Sequence, residues 1–194
     1  MEAVVKNEPK YIYLVLSSSS SFPAKIIKFF TKNQLNHSSI SLDDSLHNMY
    51  SFGRIKMWNA FHGGFVLEDK DKGFYQKFTD TYIHLYRFPV NAEVFEKTKE
   101  YLSQCAKEKD TFKYNMLGAM LSKFDIPLAR CKQYFCSEFV AITFKECGIR
   151  DIKRNVHTYH PYFFLELEDK ELIYSGMLAN YSNLEVESKQ EIAV

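Results

Sequence analysis

The chain has 194 residues and a mass of 22.8 kDa, the size of one domain with a short extension. A hydrophobic fraction of 46% with 16% aromatics supplies a sizeable core and excludes disorder throughout, and 7 Gly with 5 Pro exclude fibrous classes. Lys and Arg total 25 against 24 Asp and Glu, so overall charge gives no reason to expect nucleic acid or an anionic lipid as the main partner.

In chain order, Tyr11–Leu16 is aromatic and β-branched, which predicts a strand buried on both faces. Ser17–Ser21 reads as a polar loop. Phe22-Pro23 then opens a helix with Pro23, Ile26, Ile27 and Phe30 on one face, ending at Asn33–Asn36. His37–Leu42 and Leu46–Gly53 predict a β-hairpin around Asp43-Asp44-Ser45. Phe61–Leu67 turns into another strand, Asp69–Gly73 is a solvated turn, and Thr81–Phe88 is a further strand ending at Pro89. Val94–Lys107 and Asn115–Lys123 read as helices. A third helix starts near Tyr134 or Phe135 and stops at Gly148. Asn155–Pro161 is a His-rich loop, and Leu172–Tyr174 a short closing strand. One domain over residues 1–180 is expected, with residues 181–194 as a polar tail.

No run approaches the roughly 20 apolar residues that span a bilayer, and the start lacks the pattern of a secretory signal. Four scattered cysteines make no disulfide framework. A cytoplasmic protein with free thiols is expected, with no integral membrane segment. Cys105 and Cys147 fall on apolar helical stripes and read as core. Cys131 lies between Arg130 and Lys132 and reads as surface or loop.

Cys136 is different. It opens the helix that follows Tyr134-Phe135, where unpaired N–H groups and the helix dipole favour a thiolate. Its position also begins the apolar stripe Phe139, Val140, Thr143, Phe144, Cys147, so a core role stays open. His37 shares the polar face of its strand with Ser39 and Ser41, while Ile40 and Leu42 take the other face. An imidazole there could serve a cysteine nucleophile as base. Glu138, in the first turn of the same helix, reads as structural. The Cys136 N–H is the natural oxyanion donor. Cys131, Cys136, His157 and His160 match no tight zinc spacing, so neither metal nor cofactor is expected.

Asn36-His37-Ser38-Ser39-Ile40-Ser41-Leu42 and Tyr134-Phe135-Cys136-Ser137-Glu138-Phe139 together resemble the permuted NlpC-like cysteine peptidases of papain-like fold, the YiiX-type group. His37 precedes Cys136, as in that group and in the related lecithin:retinol acyltransferase-like proteins. The likeness covers roughly residues 10–165. It implies an α+β, circularly permuted papain-like fold with an antiparallel sheet packed against helices. It also implies Cys136 as nucleophile, His37 as general base and later acid, and a third polar residue on the next strand that orients the imidazole.

That third residue depends on hairpin register. A three-residue loop sets His37 opposite Ser51, a two-residue loop opposite Tyr50, and His47 lies about 13 Å along the strand. Ser51 is the first choice, then Tyr50, then His47. Tyr134, Tyr50 and Ser38 are candidates for binding substrate. The expected reaction is hydrolysis of an amide in a small peptide or related molecule through a Cys136 thioacyl intermediate. Transfer of an acyl group, attack on a lipid or other acyl ester, and a catalytically weak peptide-binding or amino-acid-binding domain are the alternatives.

Overall fold

A computed structural model describes residues 9–18, 35–55 and 62–182. The helix expected over 22–33 and most of the tail expected over 181–194 lie outside these residues. A six-stranded sheet runs through the molecule in the order β4-β3-β2-β1-β5-β8, every neighbouring pair antiparallel. Its strands are β1 (Lys10–Ser18), β2 (His37–Ser41), β3 (Met49–Arg54), β4 (Gly63–Glu68), β5 (Tyr82–Val90) and β8 (Glu171–Met177). A separate two-stranded parallel arm joins β6 (Lys113–Tyr114) to β7 (Gln133–Tyr134). The helices are α1 (Gly73–Lys77), α2 (Ala92–Lys107), α3 (Met116–Leu121) and α4 (Cys136–Cys147). The chain is thus α+β with an antiparallel sheet.

Period-two alternation gives the sheet two apolar faces. Ile12, Leu14 and Leu16 of β1 join Ile40, Phe52, Phe65 and the helical residues Phe139 and Phe144 in one core. Tyr13 and Val15, on the opposite side of the same strand, join Met49, Tyr75, Ile83 and Leu85 in a second. The double burial expected for Tyr11–Leu16 is seen, and the strand extends to Ser18, into the stretch read as loop.

Helix α4 starts and stops where expected. Phe135 is the N-cap, and Gly148 takes the left-handed conformation (φ 78°) in which the last turn closes, its N–H reaching Lys145 O. It is buried on more than one stripe, since Ser137, Glu138 and Ala141 are covered as well. α1, β6 and β7 were not anticipated. α1 follows directly on the charged turn at Asp69–Lys72, and β6 precedes α3. Each is too short for periodicity to announce it.

Candidate active site

The hairpin register decides the neighbour of His37. Ile40 pairs with Tyr50 and Ser41 with Met49, across a loop of residues 42–48. Continued along the strands, this sets His37 opposite Gly53. The expected three-residue turn is corrected to a longer loop, because Leu46 is drawn into the second core with a left-handed backbone (φ 58°). The slip is two residues, so Ser51 keeps the face of His37 but falls opposite Ser39, two pairs away. Its buried hydroxyl donates to Ser38 O at 2.7 Å. Tyr50 lies on the other face, its ring 6.3 Å from that of Phe65. His47 is exposed, its Nδ1 3.1 Å from Asp69 Oδ1. None of the three expected partners orients His37.

Glu68 takes that place. It closes β4, and its Oε1 lies 2.9 Å from His37 Nε2. Between the two strands the floor is low. A Cβ added at Gly53 would lie 3.4 Å from Val66 Cγ2, 3.9 Å from Glu68 Oε1 and 4.0 Å from His37 Cε1, all ordinary contact distances. Ser39 donates to Glu68 Oε2 at 2.6 Å and Tyr75 donates to the same oxygen at 3.3 Å. Burial works against the Glu68 carboxylate, but the His37 charge and these donors outweigh it, and its pKa is held below the ordinary carboxylate value.

The His37 ring also hydrogen-bonds with Cys136. Burial pushes the imidazolium pKa down. The Glu68 charge and hydrogen bonding with Cys136 push it up further, and the net result is well above the ordinary histidine value. The Cys136 thiol shows the reverse balance. Burial raises its pKa, whereas the His37 hydrogen bond and charge, with the N–H groups of Ser38 and Ser137, bring it below the ordinary thiol value. Cys136 is 6% exposed, yet its sulfur faces donors rather than hydrocarbon alone.

Tyr114, on β6, also reaches this sulfur. Burial first, then the thiolate beside it and their hydrogen bond, hold its phenol pKa well above the ordinary value, so it remains an O–H donor. The parallel pairing of Tyr114 with Tyr134, two residues before Cys136, sets it there. Glu138 lies in the same first turn as Cys136. It accepts from the N-cap N–H of Phe135 at 3.2 Å, and its other oxygen meets His157 Nδ1 at 2.5 Å.

The substrate-facing candidates divide. Ser38 is fully buried, and its Oγ has no hydrogen-bond partner among the described residues, so its backbone N–H rather than its hydroxyl reaches the site. Tyr134 is half-buried, its ring 5.4 Å from that of Phe52. Cys105 and Cys147 are buried and Cys131 is exposed. His157 and His160 are occupied separately, by Glu138 and by Ser122 O. Among the described residues His47, Asp69 and Asp71 do bring ligand atoms within 4.8 Å of one another, on the surface, where Lys72 already pairs with Asp69.

Glu68, Tyr75 and Tyr114 are the site residues that sequence reasoning missed. The one available signal was an acidic residue at the end of an alternating strand. No protein-family model, curated protein or solved structure gives a match to this chain.

Proposed function

We propose that the chain is a cysteine-dependent hydrolase of circularly permuted papain-like fold, with Cys136 as nucleophile, His37 as base and acid, and Glu68 as the group that orients and charges the imidazole. The observation that carries this reading is the continuous contact from Glu68 through His37 to a sulfur at a helix N-terminus. A carboxylate partner stabilises imidazolium, which a serine could not do.

In the proposed reaction, the Cys136 thiolate attacks the carbonyl carbon of an amide or ester. A C–S bond forms, and the π pair moves to oxygen. Tyr114 Oη and the N–H groups at the start of α4 are the donors near that oxyanion. The tetrahedral centre collapses, the C–N or C–O bond breaks, and His37 delivers its proton to the departing nitrogen or oxygen. Water then gives its proton to His37 and attacks the thioacyl carbon. The acid leaves, and Cys136 returns as thiolate beside imidazolium.

The test is a trapped intermediate. The protein is incubated with an activated acyl ester, quenched in acid and digested. The acyl mass is expected on the Cys136 peptide, absent from exposed Cys131 and abolished by His37→Ala. Acyl groups on both cysteines alike, or loading unaffected by His37→Ala, would overturn the reading.

A further inference from the structure

Arg54 closes β3 and lies opposite Gly63 of β4. Alternation puts it on the face of Phe52, whose ring meets those of Phe139 and Tyr134. Arg54 thus belongs to the side of the sheet that carries α4 and the β6–β7 arm. The arm passes directly over the Arg54–Gly63 pair. A Cβ added at Gly63 would lie 2.8 Å from Tyr114 Cβ, and one added at Gly64 would lie 2.7 Å from Phe112 O, so two successive glycines let β6 settle there. Tyr114 is the common neighbour of Arg54 and the nucleophile. Its phenol hydrogen-bonds with Cys136 and interacts electrostatically with the Arg54 guanidinium.

This cation has no counter-charge within the chain. Arg87 and Arg154 pair with Glu171 and Glu166, and Arg150 donates to the carbonyl oxygens of Pro89, Ile149 and Asp169. Arg54 is half-buried, yet no carboxylate or carbonyl oxygen among the described residues accepts from it. Its guanidinium carbon lies 5.6 Å from the centre of the Phe74 ring, which covers one face of the group and supplies no hydrogen-bond acceptor. The Tyr114 phenol stays protonated and brings no negative charge. Partial burial of a cation costs free energy that an anionic partner ordinarily offsets. The planar fork of N–H donors suits a carboxylate, and one guanidinium balances one negative charge.

We propose that Arg54 is a substrate-binding residue that holds a carboxylate on the amide or ester presented to Cys136, so that the chain selects anionic acyl compounds. The reaction clause rests on the hydrolase reading above, and anion binding by Arg54 beside the sulfur does not.

Paired esters that carry the charge on either side of the scissile bond test this. One pair is mono-para-nitrophenyl glutarate and its methyl ester, the other para-acetoxybenzoate and its methyl ester. Acyl loading of Cys136 is followed by mass after an acid quench. In the wild-type chain the carboxylate-bearing member of at least one pair is expected to load about tenfold or more faster than its methyl ester. The pair that shows this preference assigns the side. The preference is expected to vanish in Arg54→Met and to survive in part in Arg54→Lys, which keeps the charge without the fork. Comparing ratios between proteins cancels the intrinsic reactivity of each ester, and thermal melting checks that the variants fold. A preference in neither pair, or one that Arg54→Met leaves unchanged, overturns the carboxylate site while the hydrolase reading stands. If no ester loads, the hydrolase reading fails, and alkylation of Cys136 by iodoacetate against iodoacetamide decides the site alone. A ratio that falls in Arg54→Met retains anion binding by Arg54, and an unmoved ratio overturns it.

Discussion

At Nε2 of His37 the distinction between a carboxylate and a neutral group becomes measurable. Glu68→Gln keeps the shape of the partner and removes its charge. The His37 pKa is raised although burial lowers it, because the Glu68 charge and the Cys136 bond together exceed the burial cost. The lowered Cys136 pKa and the raised His37 pKa both favour a thiolate–imidazolium pair, whose upper pH limit is the deprotonation of His37. Loss of the Glu68 charge drops the upper limit. In Glu68→Gln the alkaline limb of the Cys136-dependent rate is therefore expected to move to lower pH, with kcat/KM down about tenfold or more. The pH profile of acyl transfer in the two proteins checks this, and an unmoved alkaline limb would rule Glu68 out as the partner. The same directions give a stability dependence. Glu68 contributes stability that is complete above the ordinary carboxylate range and lost as pH falls through its depressed value. The contribution of His37 is complete below the ordinary histidine range and lost as pH rises through its raised value.

Helix α4 positions Cys136, and Glu138 holds the start of α4. Its carboxylate is fully buried, and burial raises its pKa against the hydrogen bonds from His157 and the Phe135 N–H. Glu138→Ala leaves that N–H and the His157 ring without their partner and is expected to cost about 1–3 kcal/mol in denaturant unfolding. Glu138→Gln, which can still accept from the N–H, is expected to cost less, and equal losses in the two variants would show that only packing matters there. The helix itself was legible because twelve residues carry a periodic stripe that begins at Cys136 and meets a glycine stop. β1, β4, β5 and α2 were legible for similar reasons of length and alternation. α1 and β6 were not, since five and two residues carry no period. Tyr75 and Tyr114 lie on those two elements, and so escaped with them. Glu68 escaped differently. It needed the β2–β3 register, and that register was set by Leu46 packing into the second core, a tertiary event that turn composition does not encode.

Over the whole molecule, averages hide what the surface does locally. A chain with 25 basic and 24 acidic residues still concentrates five of its ten exposed large hydrophobic side chains, among the described residues, between Met116 and Ile126. The core has a comparable asymmetry. Phe52 is 1% exposed, and its ring centroid lies 5.1 Å from that of Phe139, 5.4 Å from Tyr134 and 5.6 Å from Phe112. It therefore joins β3 to the first turns of α4 and to the β6–β7 arm that carries Tyr114. Phe144 is as deeply buried, but it lies five residues beyond Phe139 along α4, against Phe88 at 5.0 Å and Phe164 at 5.7 Å. Both Phe52→Ala and Phe144→Ala open cavities in the same core, and each is expected to cost about 3–5 kcal/mol by chemical denaturation. Their effects on the nucleophile should part. Alkylation of Cys136 relative to exposed Cys131, measured under conditions where both variants remain folded, is expected to fall in Phe52→Ala and to hold in Phe144→Ala. In the first, the sulfur, its helix end and the Tyr114 donor lose their common support, while in the second that support is intact. Equal reactivity of Cys136 in the two variants would mean that the site is held by its polar contacts alone, with the aromatic cluster contributing stability but no alignment.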